Sequence, residues 1–215
     1  MIISHRHRFI FIAVPKVATR ALRQALTMHL DSMDWQQQNL FAARRLPIAE
    51  LARKTHGHLS AREIRPHLPE ELWQAYTRFA FVRDPHERFV DICLFLDGAQ
   101  DLPPAEARGR MKQAIRTERF RQRPLALPQS EFLVDREGRL AVDFIGRYEN
   151  LQSSYDELCA LIGIETSRLE RRRVPESRDW RSYYDRELAD LVSDFYRADL
   201  ENFGYAPDGF AAPAG

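Results

Sequence analysis

The chain has few cysteines and no long apolar stretch. It contains two cysteines, Cys93 and Cys159, and both lie in apolar helical patterns. This usage does not indicate a disulfide framework or a metal site, so we expect a protein of the reducing cytoplasm. No stretch approaches the roughly 20 apolar residues that are needed to span a bilayer, so we expect no transmembrane segment. The apolar run near the N-terminus is also too short for a secretion signal.

An excess of charge of one sign is missing as well. Lysine and arginine total 32, against 31 aspartate and glutamate residues, so the overall charge does not indicate nucleic acid or an acidic surface as a partner. The content of 44% hydrophobic and 29% charged residues is typical of a soluble globular protein. With 215 residues the chain can bury one sizeable core. We expect a single domain over residues 1–205 and a flexible tail over residues 206–215.

The first turn of the chain lacks the glycine-rich spacing of a Walker A loop, so it does not indicate a nucleoside triphosphatase. Residues 9–14 are apolar and predict a buried strand that leads directly into a helix. A helix start carries unpaired N–H groups and the positive end of the helix dipole, and anions bind there. Lys16 adds a positive charge, Thr19 a hydroxyl and Arg20 a forked donor. The turn can therefore hold a phosphate-like ester, unless Lys16 and Arg20 are only solvated charges.

Two histidines flank a glycine in a later segment. Ser60 and Glu63 have the form of a capping box, so His56 and His58 lie just before a helix start. No further cluster of histidine or cysteine has the spacing of metal ligands. One interpretation is a turn with exposed histidines. The other is a general base, because a neutral imidazole can accept a hydroxyl proton near neutral pH.

A second strand-to-helix turn follows residues 78–82, which predict another buried strand. Arg83 and Asp84 come directly after this strand, and an apolar helical run begins at Phe89. In an open α/β sheet such strand ends gather at one edge, where ligands bind. Arg83 can therefore contact an anion at that edge, form a local ion pair with Asp84, or do both.

The rest of the chain continues the alternation of strands and helices. Residues 140–145 predict a third strand, and residues 152–162 predict a helix that ends at Gly163. Apolar spacing from Tyr184 onward predicts one further amphipathic helix. The sequence contains no internal repeat. We therefore expect a three-layer α/β/α fold with a parallel central sheet.

A basic helix forms the strongest local positive cluster. Its cationic residues are Arg108, Arg110, Lys112, Arg116, Arg119, Arg121 and Arg123. They form a solvated face, or they favour an anionic acceptor if the helix borders the active cleft. No aromatic interleaving or groove-reading motif accompanies them, so we expect no nucleic-acid partner.

These motifs together resemble those of sulfotransferases that use 3′-phosphoadenosine 5′-phosphosulfate (PAPS). The Lys-x-x-Thr turn resembles the 5′-phosphosulfate loop, and KVATRAL is similar to that loop in heparan sulfotransferases. FAFVRDPHERFV resembles the 3′-phosphate segment, and RYENL resembles the family's third landmark. The resemblance runs from about residue 3 to residue 205. It implies a P-loop-like sulfotransferase fold of the soluble bacterial kind.

The resemblance also implies the reaction and its residues. A sulfuryl group would pass from PAPS to a hydroxyl of a saccharide, a glycolipid or a similar acceptor, and adenosine 3′,5′-bisphosphate would be released without the help of a metal. His58 is implied as the general base, with His56 as helper or substitute, and Lys16 as the group that stabilises the leaving phosphate. Gln129 and Ser130 are implied in acceptor binding. The implied cofactor contacts are Lys16, Val17, Ala18, Thr19, Arg20, Arg83, Asp91 and Arg178.

Asp91 departs from the family pattern, which has a serine at this position. A carboxylate beside a phosphate removes a donor, and like charges 4 Å apart at an effective dielectric constant near 20 repel by about 4 kcal/mol. Asp91 therefore turns away, is compensated by a donor such as Arg178, or marks a chain that has lost ordinary PAPS use. Three alternatives to an active sulfotransferase stay open: a nucleotide or sugar kinase, a non-catalytic binding protein with the same fold, and a scaffold for an acidic partner.

Overall fold

A computed structural model describes residues 1–37, 46–98, 102–170 and 179–207, which form a mixed α/β structure. Its strands belong to one five-stranded sheet in the order β3-β1-β2-β4-β5. The strands are β1 (Ile2–Ser4), β2 (Phe9–Phe11), β3 (Trp35–Gln36), β4 (Thr77–Val82) and β5 (Phe144–Arg147).

The sheet is mixed, because the expected parallel pairing covers only part of it. β2 is parallel to β4, with Ile10 opposite Arg78, and β4 is parallel to β5, with Ala80 opposite Ile145. β1 is antiparallel to both of its neighbours. β1 and β2 are joined by a short turn, and a connection of that length can only reverse the chain. The expected parallel pairing therefore holds for β2, β4 and β5, and the antiparallel pairing of β1 and β3 was not predicted.

The described residues form eleven α-helices. Two of the longer ones match the predicted periodicity: α1 buries Ala21, Leu22 and Leu26, and α9 ends at Gly163, which has a φ of 67°. In chain order the helices are α1 (Thr19–Thr27), α2 (Ala49–Ala52), α3 (Ala61–Ile64), α4 (Glu70–Ala75), α5 (Pro85–Leu96), α6 (Pro104–Arg116), α7 (Glu118–Arg121), α8 (Ser130–Leu133), α9 (Leu151–Ile162), α10 (Arg186–Phe195) and α11 (Arg197–Phe203). Short 3₁₀ helices cover Arg65–His67 and Trp180–Tyr183. In this part of the chain, no helix combines the length and the apolar character needed to cross a membrane.

The chain divides into two compact units. The first, which we call the sheet unit, comprises Met1–Val82 and Gln129–Arg171, and it contains all strands of the sheet. Fully buried phenylalanines line the sheet, and the Phe9 and Phe11 rings lie 5.4 and 5.2 Å from the Phe79 ring. The single domain that the sequence predicts for residues 1–205 stays a prediction.

The second, helical unit comprises Arg83–Pro128 and Arg172–Gly215. Its core joins α5, α6, α7 and α10 through residues such as Phe89, Met111 and Leu188. Arg88 is fully buried in it and donates to the Leu125 and Leu127 carbonyls at 3.1 and 3.0 Å. Buried arginine with carbonyl partners is structural in this unit.

The amphipathic helix expected from Tyr184 onward is divided in two. It forms α10 and α11, and Tyr196 lies at the junction outside regular helix geometry. The Tyr196 side chain is fully buried, and its hydroxyl donates to the Ala126 carbonyl at 2.8 Å. Tertiary packing therefore overrides the helical periodicity at this residue.

The close approach of Gly146 in β5 to Phe81 in β4 generates a stability prediction. A Cβ atom at Gly146 would lie 2.4 Å from the Phe81 ring, so Gly146→Ala should force the ring from its rotamer and lower the free energy of unfolding by about 1–3 kcal/mol. Gly109→Ala is the control, because a Cβ on this exposed residue of α6 meets no atom within 4 Å. It should stabilise the chain by about 0.5–1 kcal/mol. Urea unfolding followed by circular dichroism measures both; equal stability of Gly146→Ala and parent would show that the contact does not constrain β5.

Candidate active site

Residues 15–18 form the last part of the β2–α1 loop, just before α1. This loop contains the turn that the sequence predicts to bind an anion. β2 and β4 are parallel neighbours, so their carboxyl ends reach the same edge of the sheet. Lys16 and Ala18 have φ values of 66° and 60°, in the left-handed region that residues other than glycine rarely adopt. Backbone strain of this kind clusters at ligand-binding sites. The strained loop is therefore the first element of the candidate site.

Side chains around this loop differ in what they can offer a ligand. Lys16 is partly exposed and Arg20 is exposed, whereas Val17 is fully buried and can contribute only its main-chain N–H. The Thr19 hydroxyl donates to the Val14 carbonyl at 2.5 Å. Thr19 thus closes the loop onto the end of the strand, a role in addition to the predicted contact with the ligand.

The His-Gly-His segment is the second element, and it belongs to the sheet unit as well. The predicted capping box is confirmed: the Ser60 side chain accepts from the Glu63 N–H, and the Glu63 carboxylate accepts from the Ser60 N–H. His58 Nδ1 lies 2.6 Å from the Ala13 carbonyl oxygen. A carbonyl can only accept, so Nδ1 carries the proton and Nε2 keeps its lone pair. The structure therefore brings His58 to the strand end that precedes the loop.

Burial keeps the His58 ring neutral. Desolvation is the main cause that lowers the pKa of His58 from its usual value of 6.5 to about 3, and the charge of Arg23 acts in the same direction. Desolvation also lowers the pKa of His56, whose ring centroid lies 6.2 Å from that of His58. A neutral imidazole is the form that can accept a proton.

Arg23 on α1 is a residue of this region that the sequence analysis missed. It is 9% exposed, and its Nη2 donates to the Gly57 carbonyl at 3.1 Å. The Met1 nitrogen donates to the same carbonyl at 2.6 Å. Arg23 Nη1 is a buried nitrogen without a hydrogen-bond partner in the part of the chain that the structure describes. An arginine on the buried face of α1, beside Leu22, was the sequence signal that could have identified it.

Arg83 begins the helical unit, and its terminal nitrogens contact two carboxylates of α5. Nη2 lies 2.9 Å from Glu87 Oε1, and Nη1 lies 3.0 Å from Asp91 Oδ2. Asp91 therefore faces Arg83. Asp84 caps α5 by accepting from the His86 and Glu87 N–H groups. Glu87 was not predicted as a partner of Arg83, although i,i+4 spacing on a helix favours such a pair.

The remaining predicted residues are Gln129, Ser130 and Arg178. Gln129 and Ser130 are buried at the start of α8 in the sheet unit. Arg178 lies outside the described residues. A cavity of about 420 Å³ in the sheet unit is lined by residues such as Arg62, Trp73 and Asp135, and none of the predicted site residues lines it.

Part of the basic cluster already has partners within the helical unit. Lys112 contacts Asp185 at 2.8 Å and Glu187 at 2.5 Å, and Arg108 donates to the Tyr183 carbonyl at 3.0 Å. These contacts attach α6 to the 3₁₀ helix Trp180–Tyr183 and to the start of α10. They favour the interpretation of the basic cluster as a solvated face rather than as part of an acceptor site.

The low pKa of His58 generates a prediction about acid stability. Because the folded pKa lies below the value of the unfolded chain, the unfolded chain binds the proton first as the pH falls. As the pH falls from 6.5 to about 3, His58 should therefore lower the free energy of unfolding. The expected loss is about 1.4 kcal/mol per pH unit. In His58→Asn, the amide nitrogen can still donate to the Ala13 carbonyl but does not titrate. The variant should lose less free energy of unfolding than the parent between pH 7 and pH 5 in urea titrations; identical losses would contradict a buried neutral imidazole.

Comparison with models of protein families identifies the family of this chain. The model of the sulfotransferase family matches residues 1–206. No curated protein and no solved structure matches the chain. The family match includes the strained loop, the His-Gly-His segment and the Arg83 turn, and it covers nearly all of the 215 residues. The chain therefore belongs to the sulfotransferase family.

Proposed function

We propose that the chain is an active sulfotransferase that moves a sulfuryl group from PAPS to a hydroxyl of a saccharide, a glycolipid or a similar acceptor. The observation that carries the proposal is the 2.6 Å hydrogen bond of His58 to Ala13, which holds a neutral imidazole beside the strained loop that contains Lys16. Family membership supports the class of reaction.

The β2–α1 loop is proposed to bind the 5′-phosphosulfate. As the bond between sulfur and the bridging oxygen lengthens, negative charge accumulates on the leaving phosphate. Lys16, Arg20 and the N–H groups of residues 17–19 can balance that charge, which is larger in the transition state than in the ground state. The loop therefore lowers the barrier to transfer as well as binding the donor.

His58 is proposed as the general base. Its Nε2 lone pair accepts the proton of the acceptor hydroxyl while the hydroxyl oxygen forms the new bond to sulfur. The pKa of about 3 describes the site without a ligand. A bound anion favours the imidazolium, so the donor itself should raise the basicity of His58 toward the working range. His56 is the proposed helper or substitute.

Further assignments follow from the family resemblance. Arg83 is proposed to contact the 3′-phosphate, with Asp91 and Arg178 near it, and Gln129 and Ser130 are proposed to contact the acceptor. The P-loop-like three-layer fold is also proposed on this basis. Length and composition support the proposed single domain over residues 1–205, and cysteine usage supports the proposed cytoplasmic location. Membership of the sulfotransferase family removes the support for a kinase.

A second candidate function is a non-catalytic binding protein that has lost ordinary PAPS use. The contact of Asp91 with Arg83 at 3.0 Å is the observation that favours it, because this carboxylate occupies the position of the family's serine. Sulfate transfer distinguishes the two candidates, since only the enzyme turns over.

Replacement of Lys16 tests the proposed enzyme. Lys16→Ala should lose about 100-fold or more of turnover, because the charge of the leaving phosphate is no longer balanced. The assay follows radiolabelled sulfate from PAPS to a panel of neutral and acidic oligosaccharides. Lys112→Ala removes a lysine that pairs with Asp185 and Glu187 and should retain activity. Thermal unfolding checks the fold of both variants, and a folded Lys16→Ala protein with the parent rate would disprove the role of the loop.

A further inference from the structure

The Arg83 guanidinium lies between two carboxylates on one face of α5. Glu87 and Asp91 contact different terminal nitrogens, at 2.9 and 3.0 Å. The Arg83 side chain is 5% exposed, whereas the carboxylate side chains are 25% and 27% exposed. Solvent and ligands can therefore reach the carboxylates more easily than the cation.

This arrangement changes what Arg83 can offer to a ligand. Both terminal nitrogens, which would form the forked contact with a phosphate, already donate to carboxylates. The three side chains carry one positive and two negative charges, and the nearby Arg88, whose charge interacts with those of Arg83 and Asp91, adds a second positive charge. An added phosphate would therefore find no excess of positive charge and would have to displace at least one of the two ion pairs, so the binding energy of a phosphate is reduced at this place.

A ribose hydroxyl meets the same three side chains differently. A hydroxyl is a donor, and carboxylates accept from ribose hydroxyls in nucleotide sites. It can therefore bind to Glu87 or Asp91 without breaking either contact with Arg83. Arg83, Glu87 and Asp91 together can therefore bind a neutral hydrogen-bond donor. Such a donor can bind there in addition to a phosphate dianion or in its place.

We propose that Glu87 and Asp91 relax the donor selectivity of this sulfotransferase, so that it accepts an adenosine 5′-phosphosulfate with a free 3′-hydroxyl as well as PAPS. The inference rests on the proposed function, in which Arg83 contacts the 3′ position of the donor. The reaction is otherwise unchanged. The bond between sulfur and the bridging phosphate oxygen breaks, the acceptor oxygen bonds to sulfur, its proton goes to His58, and adenosine 5′-monophosphate leaves.

Calorimetry with two nucleotides tests this inference. Adenosine 3′,5′-bisphosphate and adenosine 5′-monophosphate differ only in the 3′-phosphate, so the ratio of their dissociation constants measures selectivity at this position. In the parent protein we expect a ratio within about tenfold. Asp91→Ser should raise the affinity for the bisphosphate by about tenfold or more, since it removes one of two negative charges, and should leave the affinity for the monophosphate unchanged or lower.

Two further variants check that a change in the ratio is caused by loss of the Asp91 charge. Asp91→Asn keeps an oxygen that can accept from Arg83 and removes the charge, so it should shift the ratio in the same direction even if Asp91→Ser folds poorly. Asp190→Asn removes an exposed carboxylate of α10 in the same unit and should leave the ratio unchanged.

The possible outcomes separate the inference from the proposed function. A shift in the ratio for Asp91→Ser or Asp91→Asn, with none for Asp190→Asn, supports the inference. Strong preference for the bisphosphate in the parent, or a ratio that does not respond to loss of the Asp91 charge, overturns it and leaves the sulfotransferase proposal intact. If neither nucleotide binds to the parent or to any variant, the proposed function itself fails, and the inference fails with it.

Discussion

The hydrogen bond between the His58 ring and the Ala13 carbonyl is the contact on which the candidate active site depends. Ala13 is fully buried near the end of the strand segment, and its main chain leads within three residues to Lys16. The bond fixes the tautomer of His58, and burial keeps the ring uncharged. The contact thus sets the position and the tautomer of the proposed base, and burial sets its protonation state.

Charged groups around the two proposed anion contacts are arranged in opposite ways. Near His58, the buried Arg23 holds the Gly57 carbonyl and keeps a second nitrogen available as a donor in the described region. At the start of the helical unit, Arg83 contacts two carboxylates. The first environment suits an anion, and the second suits a group of lower charge. This contrast supports the inference that the proposed enzyme binds the 5′ end of its donor more selectively than the 3′ end.

Local patterns explain what the sequence could predict. The buried face of α1, the Ser60 capping box and the end of α9 at Gly163 each depend on residues within one or two helical turns. The short strands β1 and β3 were missed, because segments of three and two residues carry no periodic signal. The third predicted strand also began too early, since β5 starts at Phe144. Register and sheet edges depend on tertiary pairing.

The chemistry of the site was harder to predict than its residue types. The sequence selected Lys16, His58 and Arg83, but it did not show the burial that lowers the pKa of His58 or the partners of Arg83. The burial of His58 depends on residues that are distant in sequence. Glu87 and Asp91, in contrast, lie one and two helical turns after Arg83, so helical spacing could have predicted these contacts. A crystal structure with adenosine 3′,5′-bisphosphate is the most direct test of the proposed site. The 5′-phosphate should lie within about 3 Å of Lys16 and the N–H groups of residues 17–19, whereas a nucleotide bound away from the β2–α1 loop would show that the loop is not the donor site.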